Sequence, residues 1–235
     1  DDARAWNNVG IGEEKAGRYR EAEQAYRKAL VIDPGLPEAW NNLGVVLRRS
    51  GRDGEAGKAF EKAIELNPKA TATTLMLAEV RLRAGRSVEA GELASRACDA
   101  PDAQAAACRL SGAIASGQRE WERAEAAYQR ATTLDGQLAD DWVGLGQARV
   151  NRGKAQAAAE ALQRAISLNP NQGSAYQALS ALHGRRGEYA KALEYGERAT
   201  QLEPTDHQAW SNKGYSLLKL HRPDEAVPVF ETALR

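Results

Sequence analysis

Two columns of alanine recur along the sequence with a constant spacing of 34 residues. The first column consists of Ala22, Ala56, Ala90, Ala124, Ala158, Ala192 and Ala226. The second column consists of Ala29, Ala63, Ala97, Ala131, Ala165, Ala199 and Ala233. Because both columns run without exception, an alanine-rich composition does not account for them, and the register holds no insertions. It divides the chain into seven repeats, the last incomplete: 3–36, 37–70, 71–104, 105–138, 139–172, 173–206 and 207–235.

Two further columns describe the first part of each repeat. A large ring opens five of the repeats, at Trp6, Trp40, Trp142, Tyr176 and Trp210. Four residues later every repeat has a very small side chain, at Gly10, Gly44, Ala78, Gly112, Gly146, Ser180 and Gly214. Small residues allow another backbone or side chain to approach closely, so this column predicts tight contact with a neighbouring helix.

Turn signals complete the pattern. Glycine occupies one position in five repeats, at Gly17, Gly51, Gly85, Gly153 and Gly187, whereas Arg119 and His221 depart from it. Four repeats close with proline, at Pro34, Pro68, Pro170 and Pro204. Proline cannot continue an interior helical hydrogen-bond ladder. Each repeat is therefore predicted to form two short helices joined by a turn.

The second repeat resembles the tetratricopeptide repeat family, whose pattern is W-x2-L-G…A-x3-F…P over 34 residues. The matching residues are Trp40, Leu43, Gly44, Ala56, Phe60, Ala63 and Pro68. The resemblance extends over essentially the whole chain and implies an all-α, right-handed superhelical solenoid that spans residues 1–235 as a single domain. In this family the first helices line a concave face, where extended peptides or partner helices lie. The composition, rich in Ala, Arg and Gly, is typical of a bacterial protein.

First-helix positions that the repeat pattern does not use form the candidate binding groove. They are Asn7, Asn8, Asn41, Asn42, Val45, Arg49, Leu75, Met76, Glu79, Arg83, Arg109, Leu110, Val143, Gln147, Asn212 and Tyr215. The groove begins rich in amides, which can donate to and accept from an extended peptide backbone, and its apolar middle suits a hydrophobic anchor. Two alternatives stay open: the amides bond neighbouring helices, and Leu75 with Met76 covers an under-packed junction.

Two ligand modes known in the family fit this chain poorly. Chaperone adaptors bind the C-terminal carboxylate of a partner with Lys, Arg and Asn side chains from three successive repeats. Only Asn42 matches here, because the other places are taken by Asn7, Ile11, Ala72 and Met76. N-acetylglucosamine transferases carry a continuous ladder of asparagines on this face. Asn8, Asn42 and Asn212 match that ladder, but it is interrupted at Met76, Leu110, Gly144 and Ala178.

Composition and motifs disfavour several other functions. The 32 basic residues balance the 32 acidic ones, which argues against the broad basic surface of a nucleic-acid-binding protein. Apolar runs stay well below the roughly 20 residues of a membrane span, so no direct membrane insertion is expected. The segment 51–58 lacks the spacing and hydroxyl of a phosphate loop, and the three histidines lack metal-ligand spacing. We therefore expect no metal, no cofactor and no catalytic residues.

The third and fourth repeats depart from the pattern. Thr74, Ala94, Cys108 and Ser111 stand where large apolar groups are expected, which predicts a less stable or more bendable junction unless Leu75, Met76 and Trp121 compensate. Cys98 and Cys108 flank this junction ten residues apart. They are either free thiols or a disulfide, and a disulfide implies an oxidising compartment. The compartment expected for a bacterial chain is the cytoplasm or the periplasm.

The predicted function is a non-catalytic scaffold that holds a protein or peptide segment in its concave groove and helps to assemble or localise a complex. An alternative is the substrate-recognition or regulatory arm of a larger enzyme, such as a glycosyltransferase or a sulfotransferase. A third hypothesis is self-association through uncapped ends, since Phe230 and Leu234 have no following repeat to cover them. Repeat proteins of this kind need polar caps for solubility, so the chain is expected to continue or to dock at this end.

Overall fold

A computed structural model describes residues 2–234, and fourteen α-helices account for most of them. The helices are α1 (Ala3–Lys15), α2 (Tyr19–Ile32), α3 (Pro37–Arg49), α4 (Asp53–Leu66), α5 (Thr71–Arg83), α6 (Ser87–Asp99), α7 (Ala105–Gly117), α8 (Trp121–Leu134), α9 (Ala139–Asn151), α10 (Ala155–Leu168), α11 (Gly173–Arg185), α12 (Tyr189–Leu202), α13 (His207–Lys219) and α14 (Pro223–Ala233). Two helices fall in each predicted repeat. The predicted all-α repeat fold is confirmed.

The helices gather into two compact parts of the chain. We call Asp1–Ile114 the N-terminal half and Ala115–Arg235 the C-terminal half; the division falls within α7. Apart from α7, where the division falls, the two helices of a repeat pack together, and the second helix packs on the first helix of the following repeat. That the whole chain forms a single domain stays a prediction.

The two alanine columns lie in the core. Every member is between 0 and 1% exposed except Ala233, which is half-buried. A larger side chain at these positions would push two helices apart, because protein interiors are close-packed. The alanines therefore set the spacing between helices, as their regularity in sequence suggests.

Four members of the small-residue column each face a bulky side chain of the second helix of the same repeat. A Cβ atom on Gly44 would lie 2.5 Å from the ring of Phe60, and one on Gly146 would lie 2.6 Å from Leu162. Tyr26 covers Gly10 and Phe230 covers Gly214 in the same way. The predicted close approach is thus confirmed, and it involves a side chain sixteen residues further along the chain.

Three of the tryptophans that open repeats are hydrogen-bonded to the loop before them. The indole Nε1–H of Trp40 donates to the carbonyl oxygen of Pro34 at 2.8 Å. Trp142 and Trp210 make the same bond to the carbonyl six residues earlier, at Gly136 and Pro204. Each indole therefore ties the first helix of its repeat to the loop that leads into it.

A covalent bond joins the third and fourth repeats. Cys98 and Cys108 form a disulfide with their Cα atoms 4.6 Å apart, and both residues are buried. The open question of their pairing is settled in favour of the bond. Met76 packs against the N-terminal core, which matches the compensation expected at this junction. Faster hydrogen exchange at residues 71–115 than in the flanking repeats stays a prediction.

Arg119 and His221 adopt a backbone conformation that favours glycine. Their φ angles are 61° and 59°, and the glycines at the same repeat position have φ between 74° and 76°. A left-handed conformation costs a residue with a Cβ atom roughly 1–2 kcal/mol. We therefore expect Arg119→Gly to raise the free energy of unfolding by about 1 kcal/mol in urea denaturation. Gly153→Ala is the matched control: its Cβ meets no atom within 4 Å, and it should lose about 1 kcal/mol from backbone strain alone.

A buried carboxylate organises a cluster of ion pairs in the C-terminal half. The Glu125 side chain is 11% exposed and lies 3.3 Å from Arg149, 2.6 Å from Arg152 and 2.9 Å from Lys154. Burial raises the pKa of this carboxylate, but hydrogen bonds from the three cations lower it by more, so the pKa lies below its usual 4.5. The charged form therefore stabilises α8 against α9 and the turn that follows α9.

Glu125→Gln is expected to destabilise the protein by about 2 kcal/mol at neutral pH, since charge-assisted hydrogen bonds are lost from a buried site. A lowered folded-state pKa means that the stabilisation is complete above the unfolded-state pKa and disappears as pH falls through the folded-state value. The difference between the two proteins should thus shrink below about pH 4.5 in urea titrations. Glu122→Gln is the control, because Glu122 is exposed and such pairs contribute little.

Candidate functional site

Amide side chains form a network across three first helices of the N-terminal half. Asn42 Nδ2 donates to Asn7 Oδ1 at 3.0 Å, and Asn41 Nδ2 donates to Asn42 Oδ1 at 3.4 Å. Thr73 Oγ1 donates to Asn41 Oδ1 at 2.8 Å. The same residues line a cavity of about 310 Å³ together with Ile11. We call these residues the amide site.

The structure supports in part the alternative prediction that the asparagine side chains hydrogen-bond neighbouring helices. Asn42 bonds Asn7 of the preceding repeat, and this bond contributes to the stacking of α1 and α3. Asn8 lies elsewhere, exposed to solvent. A primary amide has two donor hydrogens and two acceptor lone pairs. Both Asn41 and Asn42 therefore keep capacity for a ligand in the cavity.

The predicted charged residues of the N-terminal half are paired within the chain. Arg83 makes two bonds to Asp53, at 2.9 and 3.0 Å, and Arg48 holds Glu79 in an ion pair. The remaining predicted cations are Arg49, which lies 3.7 Å from Glu14 and over the Tyr19 ring, and Arg109, which is half-buried. A ligand would compete with these internal partners for Arg83, Arg49 and Glu79.

The predicted apolar residues mostly serve the core. Val45 and Met76 pack against the N-terminal core, and Leu110 packs against a small buried cluster of three alanines and Ile114. Leu75 is half-buried. Val143 is 6% exposed and lies within the core of the C-terminal half. The expectation that it offers an anchor to a partner is corrected accordingly, because it has almost no accessible surface.

A second cavity, of about 510 Å³, lies in the C-terminal half between α11 and α13. Its wall includes Gln177, Arg185, Gln208, Asn212 and Tyr215. Asn212 Oδ1 accepts a hydrogen bond from Gln208 Nε2 at 3.0 Å. The Nδ2 atom of Asn212 is buried and has no hydrogen-bond partner among residues 2–234. We call these residues the donor site.

The donor site offers several hydrogen-bond donors and one cation, Arg185. The residues that line its cavity contain no Asp or Glu, and the Arg185 guanidinium is exposed. The Tyr215 ring is 45% exposed, stands edge-on to Tyr189, and has the Lys219 ammonium 5.3 Å from its centroid. Such a site suits the carbonyl and carboxylate oxygens of a ligand.

The repeat pattern predicts Asn212 and Tyr215 as groove residues but does not predict Arg185 and Gln208. The repeat register contained the missing signal, since Arg185 occupies the position of Arg49 and Arg83 in its own repeat. Gln147, which was selected, is exposed on α9 and lies outside the donor-site cavity.

The described residues bring no three His, Cys, Asp or Glu side chains together in a way that could hold a metal ion. Within the same range, none of the helices has the length and apolar character needed to cross a membrane.

Comparisons with known proteins agree on the repeat. One family model described as tetratricopeptide repeat matches residues 1–37, 10–71, 55–107 and 178–235, and a second model with the same description matches residues 112–183. No curated protein matches the sequence.

Solved structures share the fold at low sequence identity. YrrB, described as a TPR protein with an unusual peptide-binding site, is 19% identical with a TM-score of 0.73 over 80% of this chain and 96% of that one. PilF of Pseudomonas aeruginosa is 16% identical with a TM-score of 0.65 over 88% and 94% of the chains. A repeat protein of Parabacteroides merdae is 17% identical with a TM-score of 0.63 over 98% and 91%. Seven hairpins in one register and these matches together place the chain in the tetratricopeptide repeat family.

Proposed function

We propose that the chain is a non-catalytic protein-interaction scaffold, and that the first helices of its repeats hold an extended segment of a partner protein. Each half offers one polar contact point, the amide site in the N-terminal half and the donor site in the C-terminal half. Holding such a segment would allow the scaffold to assemble or localise a larger complex.

The observation that carries this proposal is the Nδ2 atom of Asn212. Buried donors in folded proteins almost always have a partner, and leaving one unpaired costs about 1–3 kcal/mol. Asn212 Nδ2 is such a buried donor, and the residue lines an open cavity. A ligand that supplies a carbonyl or carboxylate oxygen would remove the cost, which is the property expected of a binding residue kept for function rather than for stability.

The amide site supports the same function through its chemistry. Asn41 and Asn42 can donate and accept at once, as the backbone of an extended peptide requires. A peptide backbone carries one donor and one acceptor at most residues. Recognition of backbone groups gives affinity without strict sequence requirements, and side chains of the partner would then select the binding register.

The test is selection of peptides from a random display library against the full chain, followed by affinity measurement on variants. Asn212→Leu should weaken the selected peptides about tenfold, the value of one hydrogen bond at a desolvated site. Arg185→Glu should weaken acidic peptides at least as much. Asn42→Ala should weaken those that reach the amide site.

Arg164→Glu is the matched control, since it reverses an exposed charge on the second helix α10. It should leave affinity unchanged. Asn212→Leu should also leave the unfolding free energy unchanged or raise it slightly, because it removes an unpaired buried donor. Peptides that bind all three site variants as well as the original protein would contradict the proposal.

The disulfide supports a location for this function. Disulfides form and persist in oxidising compartments and are rare in a reducing cytoplasm. Of the two compartments expected for a bacterial chain, the Cys98–Cys108 bond favours the periplasm.

A further inference from the structure

A third cavity lies in the third repeat and the loop that leads into it. It has a volume of about 650 Å³ and lies between the loop before α5 and the end of α6. Its wall includes Pro68, Thr71, Thr74, Arg96 and Pro101. All of these residues belong to the N-terminal half.

The repeat register shows what fills this place elsewhere in the chain. Thr74 takes the position that Trp40, Trp142 and Trp210 take in their own repeats. Each of those indoles donates its N–H to the carbonyl oxygen six residues earlier, at 2.8 to 3.0 Å. The corresponding carbonyl is that of Pro68, and no hydrogen bond from residues 2–234 ends on its oxygen. The loop before the third repeat thus keeps the acceptor of an indole, but the third repeat has Thr74 where the ring would stand.

The cavity is also lined by a cation, Arg96. Lys28 lies over the Trp6 ring at 4.2 Å, and Arg198 lies over the Tyr176 ring at 5.9 Å. Arg96 occupies the same repeat position. Lacking a ring, it donates to Thr74 Oγ1 at 3.3 Å. Because Arg96 is exposed, opening this bond to admit a ring costs little.

We propose that this cavity binds a tryptophan side chain of a partner polypeptide. The indole N–H donates to the Pro68 carbonyl oxygen, and the ring packs on Thr74 beneath the Arg96 guanidinium. Cation–π contact and the desolvated hydrogen bond distinguish tryptophan from other rings. The inference rests on the proposed scaffold function and names one feature of its partner.

The first test uses N-acetyl-tryptophanamide as the probe and the full chain as the receptor. Titration followed by amide NMR should shift resonances of residues 68–74 and 96–102 to saturation with one site per chain. The same probe methylated on the indole nitrogen should bind about fivefold more weakly, because it cannot donate to Pro68. Arg96→Ala should also weaken binding by several-fold.

The second test fills the cavity from within. Thr74→Trp should abolish probe binding and raise the thermal midpoint by about 2–4 °C, since it restores the ring found in the other repeats. Ala72→Trp is the matched control on the exposed side of α5, and it should leave probe binding intact. If Thr74→Trp does not fold, the methylated probe and Arg96→Ala still decide the question on folded proteins.

Equal affinity for the methylated probe, or shifts confined to other residues, would overturn the proposal. A mass in light scattering that doubles for the original chain but not for Thr74→Trp would also overturn it, because the occupant would then be a second copy. The probe titration needs no groove ligand. Its failure would leave the proposed scaffold function standing, and failure of the Asn212 test would leave the probe result standing.

Discussion

Gly44→Ala is expected to destabilise the protein by about 3 kcal/mol, although alanine is the better helix former. The new Cβ would lie 2.5 Å from the ring of Phe60, and this ring is completely buried. Neither helix can move away without opening the contact set by the alanine columns, so the overlap must be relieved by off-rotamer strain or backbone shifts. Urea-induced unfolding followed by circular dichroism measures the loss.

A double-mutant cycle with Phe60→Ala isolates the cause. Phe60→Ala alone should cost about 3–5 kcal/mol through the cavity that it leaves. In the double variant the Gly44→Ala methyl group enters this cavity, so the combined loss should fall short of the sum by about 2 kcal/mol. The third repeat has the same pair of residues as the double variant, since Ala78 and Ala94 occupy the positions of Gly44 and Phe60.

Gly12→Ala is the control for this cycle. Gly12 lies within α1, and a Cβ there meets no atom within 4 Å. It should therefore stabilise the protein by up to about 1 kcal/mol through helix propensity alone. If the losses in the cycle are additive, or if Gly44→Ala stabilises the protein, then the Phe60 ring does not pack closely against Gly44.

Replacing both cysteines by alanine is expected to destabilise the protein by about 2.5 kcal/mol. The bond between Cys98 and Cys108 closes a short loop, and loop closure of this length restricts the unfolded chain by that amount. The effect matters at this place because Thr74 and Ala94 give the third repeat less apolar bulk than its neighbours have. Urea unfolding of the two proteins under oxidising conditions measures the difference.

Reductant provides the control for the disulfide. It should lower the stability of the original protein to about the level of the double variant, and it should leave the variant unchanged. Thiol titration of the unfolded protein should find two thiols only after reduction. Two free thiols without reductant, or equal stability of the two oxidised proteins, would contradict the bond and the compartment argued from it.

The sequence predicted the fold in detail and the site only in part. The two alanine columns and the small-residue column fixed the number of hairpins and their contacts, because close packing tolerates few residue types at those positions. Asn42 and Tyr215 each line a cavity, and the repeat pattern predicts both because they lie on the free side of a first helix. Val143 lies on the same side by periodicity but is buried. A helical wheel gives the direction in which a side chain points, but it does not show how far neighbouring residues bury that side chain.

Repetition is thus what the sequence determined by itself: seven hairpins, their register and the residues that space them. Tertiary structure alone decided which polar groups are satisfied. Whether Asn42 meets Asn7, whether Arg83 meets Asp53 and whether Asn212 is left unpaired depends on distances of a few ångströms between repeats. A shift of this size makes or breaks a hydrogen bond. The hydrophobic pattern of the sequence predicts the same fold whether or not such a shift occurs.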